Sequence, residues 1–199
     1  MQISKLDIFN LALTALGQDT IASVNEDSTA AKRLRLLYDV VLEQEIRAHD
    51  WKFCSRDIRL ALSPEKVEGW EFVYNRPEGA VFVKNVFNEF HRRNSARKAD
   101  FAEMANGDLT AKIICCNLEN AYAHVSYKIE NPAFYDALFI DVLKYALAKE
   151  IAFSLTGDSR NVQLMNNLYA AALGKAEAAD LLEENITPIY GTDFIEARE

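Results

Sequence analysis

Three cysteines and three histidines are the residues of this 199-residue chain best suited to covalent or metal chemistry. Cys54, the adjacent pair Cys115-Cys116, and His49, His91 and His124 are the ingredients of a Cys–His hydrolase or a zinc site. A thiolate nucleophile needs a base within hydrogen-bond reach, and a zinc site needs ligands repeated at short intervals. No such interval occurs here, and neighbouring residues of a strand point to opposite faces, so all three thiols are expected to be reduced and packed. An enzyme would have to assemble its site only in three dimensions, for instance by bringing Cys54 near a histidine. The seven glycines are isolated and none opens a phosphate-cradling loop.

A second chemistry, binding of phosphate, falls to a basic stretch. The formal net charge is -8, which disfavours a general nucleic-acid binder, but the charge is unevenly spread. Residues 1–50 hold five cations against eight anions, residues 51–130 twelve against eleven, and residues 131–199 five against eleven. In the middle segment the positive charge gathers in His91, Arg92, Arg93, Arg97 and Lys98, a loop-like stretch able to face phosphates or to pair with Asp100 and Glu103.

The elements that would position these groups begin with helices. Ser4 with Asp7 caps a helix through Leu16 with Leu6, Phe9, Leu13 and Leu16 on one face and Gly17 at its end. Asn25 or Asp27 is expected to cap a second helix to about Asp50, with Ala30, Leu34, Leu37 and Val41 as its buried stripe. Trp51 and Phe53 then alternate as in a strand, continued by Ile58, Leu60 and Leu62. Trp70, Phe72 and Tyr74 share one face of a further strand. The turn residues Asn75-Arg76-Pro77-Glu78-Gly79 lead to a strand over Ala80 to Phe87. Leu109 to Cys116 and Tyr122 to Ile129 read as an antiparallel hairpin across Asn117 to Ala121.

Two long helices follow, Pro132 to Thr156 and Ser159 to Glu184. Asn131-Pro132 starts the first, Gly157 ends it and Asp158 caps the second. Each would be roughly 37–39 Å long, more than twice the radius of gyration of about 16 Å for one domain of this size. In the first, Phe134, Leu138, Phe139, Val142, Leu143, Leu147, Ile151 and Phe153 wrap most of the circumference. Asp136, Asp141, Lys144, Lys149 and Glu150 interrupt the apolar run too often for a membrane span. They also scatter around the helix, which fits either snorkelling, with Asp136 in the first turn and Lys149 and Glu150 near the last two, or a helix whose surplus apolar surface is shared with other copies. In the second case Asp141, Lys144, Lys149 and Glu150 become candidate subunit-interface residues. The second helix is rich in alanine, with Gly174 in its interior, a cost that a close backbone contact would offset.

The fold class expected is α+β, mainly α: a four-helix body with an inserted small antiparallel β subdomain. Its parts are an N-terminal helical pair over residues 3–50, the β subdomain over 51–130, the long-helix pair over 131–184 and an extended tail over 185–199. Hydrophobic content of 50% with seven Gly and four Pro fits a helix-rich globular chain. The opening residues lack the zones of a signal peptide, and a cytosol-like compartment is expected.

The order of these signatures resembles the tail tubular protein A family of short-tailed bacteriophages. The residues carrying the resemblance are Phe9-Asn10-Leu11-Ala12-Leu13-Thr14-Ala15-Leu16-Gly17 and the Glu26 to Tyr38 stretch, which feeds a helix ending at Asp50-Trp51-Lys52-Phe53. The Tyr74 to Val83 turn and strand with Pro77 also fit, as does Ile129-Glu130-Asn131-Pro132 followed by Phe134, Leu138 and Phe139. The match runs from about residue 3 to 184 and consists of packing and turn signatures. It implies a virion component and no enzyme: a dodecameric head-to-tail adaptor ring joining the portal to the tail nozzle, lining the DNA exit channel and needing no cofactor. The subunit would be assembled in the host cytoplasm and touch phage DNA only transiently and non-specifically. The multi-faced helices would then pack between copies in a closed ring, and like-charged walls would let DNA slide.

By the same resemblance the tail, with Ile186, Pro188, Ile189, Tyr190, Phe194 and Ile195, would reach the portal, unless it straps over its own helices. The basic residues 91–98 would contact DNA in the channel. The alternative function is a helical DNA-binding or regulatory protein using that same basic loop, with binding that falls steeply with salt.

Overall fold

The computed structural model describes residues 3–89 and 99–182. It contains four α-helices and two small three-stranded antiparallel sheets, an α+β arrangement. Helix α1, Lys5–Ala15, starts with the reciprocal cap expected: Asp7 N donates to Ser4 Oγ at 3.2 Å and Ser4 N to Asp7 Oδ2 at 2.8 Å. The Asn10 side chain clips the following loop to the helix, accepting from Ile21 N at 2.9 Å and donating to its carbonyl at 3.1 Å. Helix α2, Thr29–Ala48, is capped by Ser28 rather than by Asn25 or Asp27. The Arg35 guanidinium takes the carbonyls of Val24 and Glu26, holding that stretch in a turn outside the helix.

The first long helix begins later than the sequence suggests. Asn131-Pro132 opens only a 3-10 turn, Pro132–Phe134, and helix α3, Ala137–Thr156, is capped by Asp136, whose carboxylate accepts from Leu138 N at 2.7 Å. Tyr135 separates the two because its extended backbone buries its ring against Phe53 and Phe139, with its hydroxyl donating to Ile129 O at 2.7 Å. Gly157, at φ +66, caps α3 in the left-handed region, and helix α4 is Ser159–Leu182. Gly157→Ala forces a side chain into that conformation and is expected to cost about 1 kcal/mol, a fall in melting temperature of roughly 2–4 °C by calorimetry.

The expectation that one chain could not cover the first long helix is corrected. Helices α1, α2 and α4 all pack on α3, and they bury Phe139, Val142, Leu143, Ala146, Leu147 and Ile151 within the chain. Each large side chain so buried stabilises by about 1.5–3 kcal/mol, and Phe153, 63% exposed, is the large apolar residue of α3 left outside. Helix α4 is the opposite case. Only Met165 and Ala176 are buried on it, and a Cβ added at Gly174 would meet nothing within 4 Å. Among the described residues no contact offsets that glycine.

Between the helical pairs, β1 (Ser55–Arg59), β6 (Tyr122–Tyr127) and β3 (Ala80–Phe87) form one sheet in the order β1-β6-β3. Strands β2 (Phe72–Asn75), β5 (Lys112–Cys116) and β4 (Phe101–Ala105) form the other, ordered β2-β5-β4. The expected hairpin of β5 with β6 is therefore absent. Each is the central strand of its own sheet, and Asn117 to Ala121 carries the chain from one sheet to the other, with Asn120 at φ +54. Tyr74 fixes this crossing by donating its hydroxyl to Leu118 O at 2.7 Å. Tyr74, Ile114 and Cys116 of one sheet pack with Val83, Val86 and Val125 of the other, while Cys115 faces away with Val73 and Ile113 toward Trp70 and Met104. The adjacent cysteines thus feed two cores, as strand alternation requires. Trp70 consequently does not share a face with Phe72 and Tyr74. Trp51 and Phe53 are not in a strand either: residues Lys52–Cys54 form a 3-10 turn, and the Trp51 indole donates to Glu45 O at 2.7 Å.

Candidate functional site: a buried charge cluster and the uncovered surface

Helix α2 ends at Ala48, and two residues later Asp50 reaches the sheet. Its carboxylate meets His124 Nε2 on β6 at 2.8 Å and Lys84 Nζ on β3 at 2.5 Å. The other ring nitrogen of His124 lies 2.5 Å from Asp57 Oδ1 on β1, its cross-strand neighbour. His124, 2% exposed, and Ser126 point from β6 away from Ala123 and Val125, and Ser126 Oγ bonds Ser55 Oγ at 2.8 Å. Both ring nitrogens of His124 are thus engaged by carboxylates. Desolvation pushes the Asp50 carboxyl up, but the hydrogen bonds from His124 and Lys84 outweigh it and hold that carboxyl well below its ordinary 3.8.

A second set of polar contacts ties the same end of α2 to α4. The Tyr169 hydroxyl donates to the buried Glu45 carboxylate at 2.9 Å, and Lys149 Nζ sits 3.8 Å from the Tyr169 ring centroid. His49 Nε2 and the backbone N–H of Lys52 lie 2.9 and 3.0 Å from the Asp180 carboxylate. Burial raises both the Glu45 carboxyl and the Tyr169 hydroxyl above their ordinary values, which keeps the tyrosine a donor.

Neither cluster holds an activated nucleophile. Ser55 and Ser126 bond each other, and burial pushes the Cys54 thiol up to about 12, far from the thiolate form at neutral pH. Burial raises Cys115 and Cys116 as well. All three thiols are accordingly expected to resist a neutral-pH alkylating reagent in the native chain and to react together once it is unfolded, as counted by mass. Among the described residues no group of three or more His, Cys, Asp and Glu side chains is arranged to hold a metal ion. No helix among them is long and apolar enough to cross a membrane.

The candidate interface charges fall into two places. Asp141 and Lys144 pair at 2.7 Å within one turn of α3, with Lys144 also over the Tyr145 ring, whereas Lys149 is spent on Tyr169 and Glu150 is exposed. His91, Arg92, Arg93, Arg97 and Lys98 lie outside the described residues, and so do Ile186, Pro188, Ile189, Tyr190, Phe194 and Ile195. The Asp50–His124–Asp57 set was not assembled from sequence. Its one signal is His124 and Ser126 alternating with Ala123 and Val125, a polar face on a strand that is buried on both sides.

The uncovered surface is apolar in particular places: Leu36 and Val40 one turn apart on α2, Phe134 before α3, and Leu164, Leu181 and Leu182 on α4. From Asn161 to Gly174, α4 has no charged residue, although Leu164, Asn167, Ala170, Ala171 and Gly174 are exposed. A cleft of about 690 Å³ opens between α2 and the sheets.

These features define a class, an α+β chain whose polar clusters tie its parts together and whose long last helix offers an uncharged face to the outside. No protein-family model matches the chain, and no curated protein matches it.

Proposed function

We propose that this chain is a structural subunit of a head-to-tail adaptor ring in a short-tailed bacteriophage, of the tail tubular protein A kind. The helices α1 to α4 are the ring-forming body, and residues 51–130 are a β subdomain inserted between its two helical pairs. The observation that carries this reading is the outer face of α4. Solvated helix faces are normally rich in charge, whereas fourteen successive residues of α4 have none, and depletion of charge marks the core of a protein–protein contact. Its small side chains at Ala170, Ala171 and Gly174 allow the helix of a neighbour to come close. The apolar surplus that motivates a ring thus belongs to α4 and not to α3. In this reading the tail residues Ile186, Pro188, Ile189, Tyr190, Phe194 and Ile195 dock on the portal, the nozzle protein binds the opposite rim, and His91, Arg92, Arg93, Arg97 and Lys98 face the passing DNA.

Negative-stain imaging of the chain, alone and mixed with a portal, tests this. Closed rings under either condition are expected, and Ala171→Glu should abolish them while leaving the far-ultraviolet circular dichroism unchanged. Only single subunits under both conditions would overturn the proposal.

A further inference from the structure

The cleft between α2 and the sheets has a charge balance unlike that of the whole chain. Arg47, Arg76, Lys112 and Lys128 line it against two carboxylates, Glu43 and Glu130. Two of these cations are already engaged. Arg76 holds Glu103 at 2.9 Å and the carbonyls of Ala80 and Val81, and Lys128 holds Asp39 at 2.9 Å and Glu43 at 3.2 Å. Arg47 lies over the Phe82 ring at 5.1 Å, and among the described residues neither it nor Lys112, exposed at the start of β5, has an ion pair. Val40 and Val81 supply an apolar floor, and Leu36, 77% exposed, continues it one turn along α2.

We propose that this cleft is the seat of the chain's own C-terminal segment, residues 183–199. That segment carries Glu183, Glu184, Asp193, Glu196 and Glu199 against Arg198 alone, interleaved with Ile186, Ile189, Tyr190, Phe194 and Ile195. It has the acidic and apolar character that a cleft with two cations unpaired among the described residues and a valine floor selects. Its starting point is also suitable. Asp180, in the last turn of α4, is bonded to His49, two residues beyond Arg47 on α2. Seventeen extended residues span at most roughly 56–61 Å, so every point of the cleft is within reach. Tethering gives the segment an effective concentration in the millimolar range, which at micromolar protein favours the chain's own cleft over a neighbour's. A segment seated there is withheld from other surfaces until a partner competes for it. The proposal needs no ring and is tested on the isolated chain, so its failure and that of the adaptor reading are separate results.

The test is amide hydrogen exchange over residues 183–199 of the full chain at low salt. Protection of about tenfold or more over an unstructured peptide is expected, falling to none in Arg47→Glu/Lys112→Glu. Both positions are exposed, and an unchanged melting temperature checks that this variant is folded; Arg47→Gln/Lys112→Gln, milder toward Phe82, should lose part of the protection. Asp193→Lys/Glu196→Lys alone should also lose it and should regain it when combined with the cleft reversal. A wild-type segment exchanging at the unstructured rate, or protection indifferent to the reversal, would overturn the proposal. Protection that rises with protein concentration would overturn it as well and would give the cleft to a second copy's segment.

Discussion

Phe139→Ala is expected to remove about 3–5 kcal/mol of stability, the range for emptying a fully buried aromatic site. The Phe139 ring has no exposed surface and sits at the meeting point of three others, with centroids 4.8 Å from Phe53, 5.1 Å from Trp51 and 5.4 Å from Tyr135. Those neighbours come from the 3-10 turn after α2 and from the entry to α3, so the cavity would open where the helices and the start of the sheet join. Collapse around it is restricted, because the Trp51 indole is bonded to Glu45 O and the Tyr135 hydroxyl to Ile129 O. Urea unfolding measures the loss. Phe139→Leu, which keeps most of the volume, should cost less than half as much, and equal costs for the two variants would argue against a packing role.

His124→Leu should have a comparable effect by a different route. Removing one partner of a buried hydrogen-bonded charge pair costs about 3–5 kcal/mol, and here the buried Asp50 carboxylate and the partly exposed Asp57 carboxylate would each lose the bond to the ring. The same cluster predicts the acid limb of stability. Asp50 has a folded-state value below its ordinary 3.8, so its contribution is fully present above the unfolded value and is lost as pH falls through the lower folded one. Stability of the wild-type chain should therefore drop below about pH 4, and the drop should be shallower in Asp50→Asn. A variant whose stability falls in parallel with that of the wild type below this pH would remove Asp50 as the cause.

Much of the helical framework was legible because its signals are local. The Ser4–Asp7 cap and the glycine at 157 act within one turn of the residues they punctuate, so the sequence alone carries them. What failed was non-local. An all-round apolar helix is equally the mark of a shared interface and of a central helix covered by its own chain, and only the packing of α1, α2 and α4 on α3 decides between them. The pairing of β5 and β6 was misread because a five-residue connection suits a hairpin, and nothing local announces that each strand is needed at the centre of a different sheet. Of the candidate interface residues, Lys144 pairs with Asp141 and lies over the Tyr145 ring, and Lys149 lies over the Tyr169 ring, contacts within the chain that sequence spacing does not single out. The Asp50–His124–Asp57 set spans 74 positions of sequence separation, and no spacing rule covers it.

The dependence of α1 and α2 on α3 has a consequence for synthesis. The first two helices touch each other little and each packs mainly on α3, whose last residue is Thr156. A nascent chain therefore emerges with two helices that have nothing yet to lean on. Synthesis must pass Thr156 before their apolar stripes can be covered, and until then those stripes are exposed to non-native contacts.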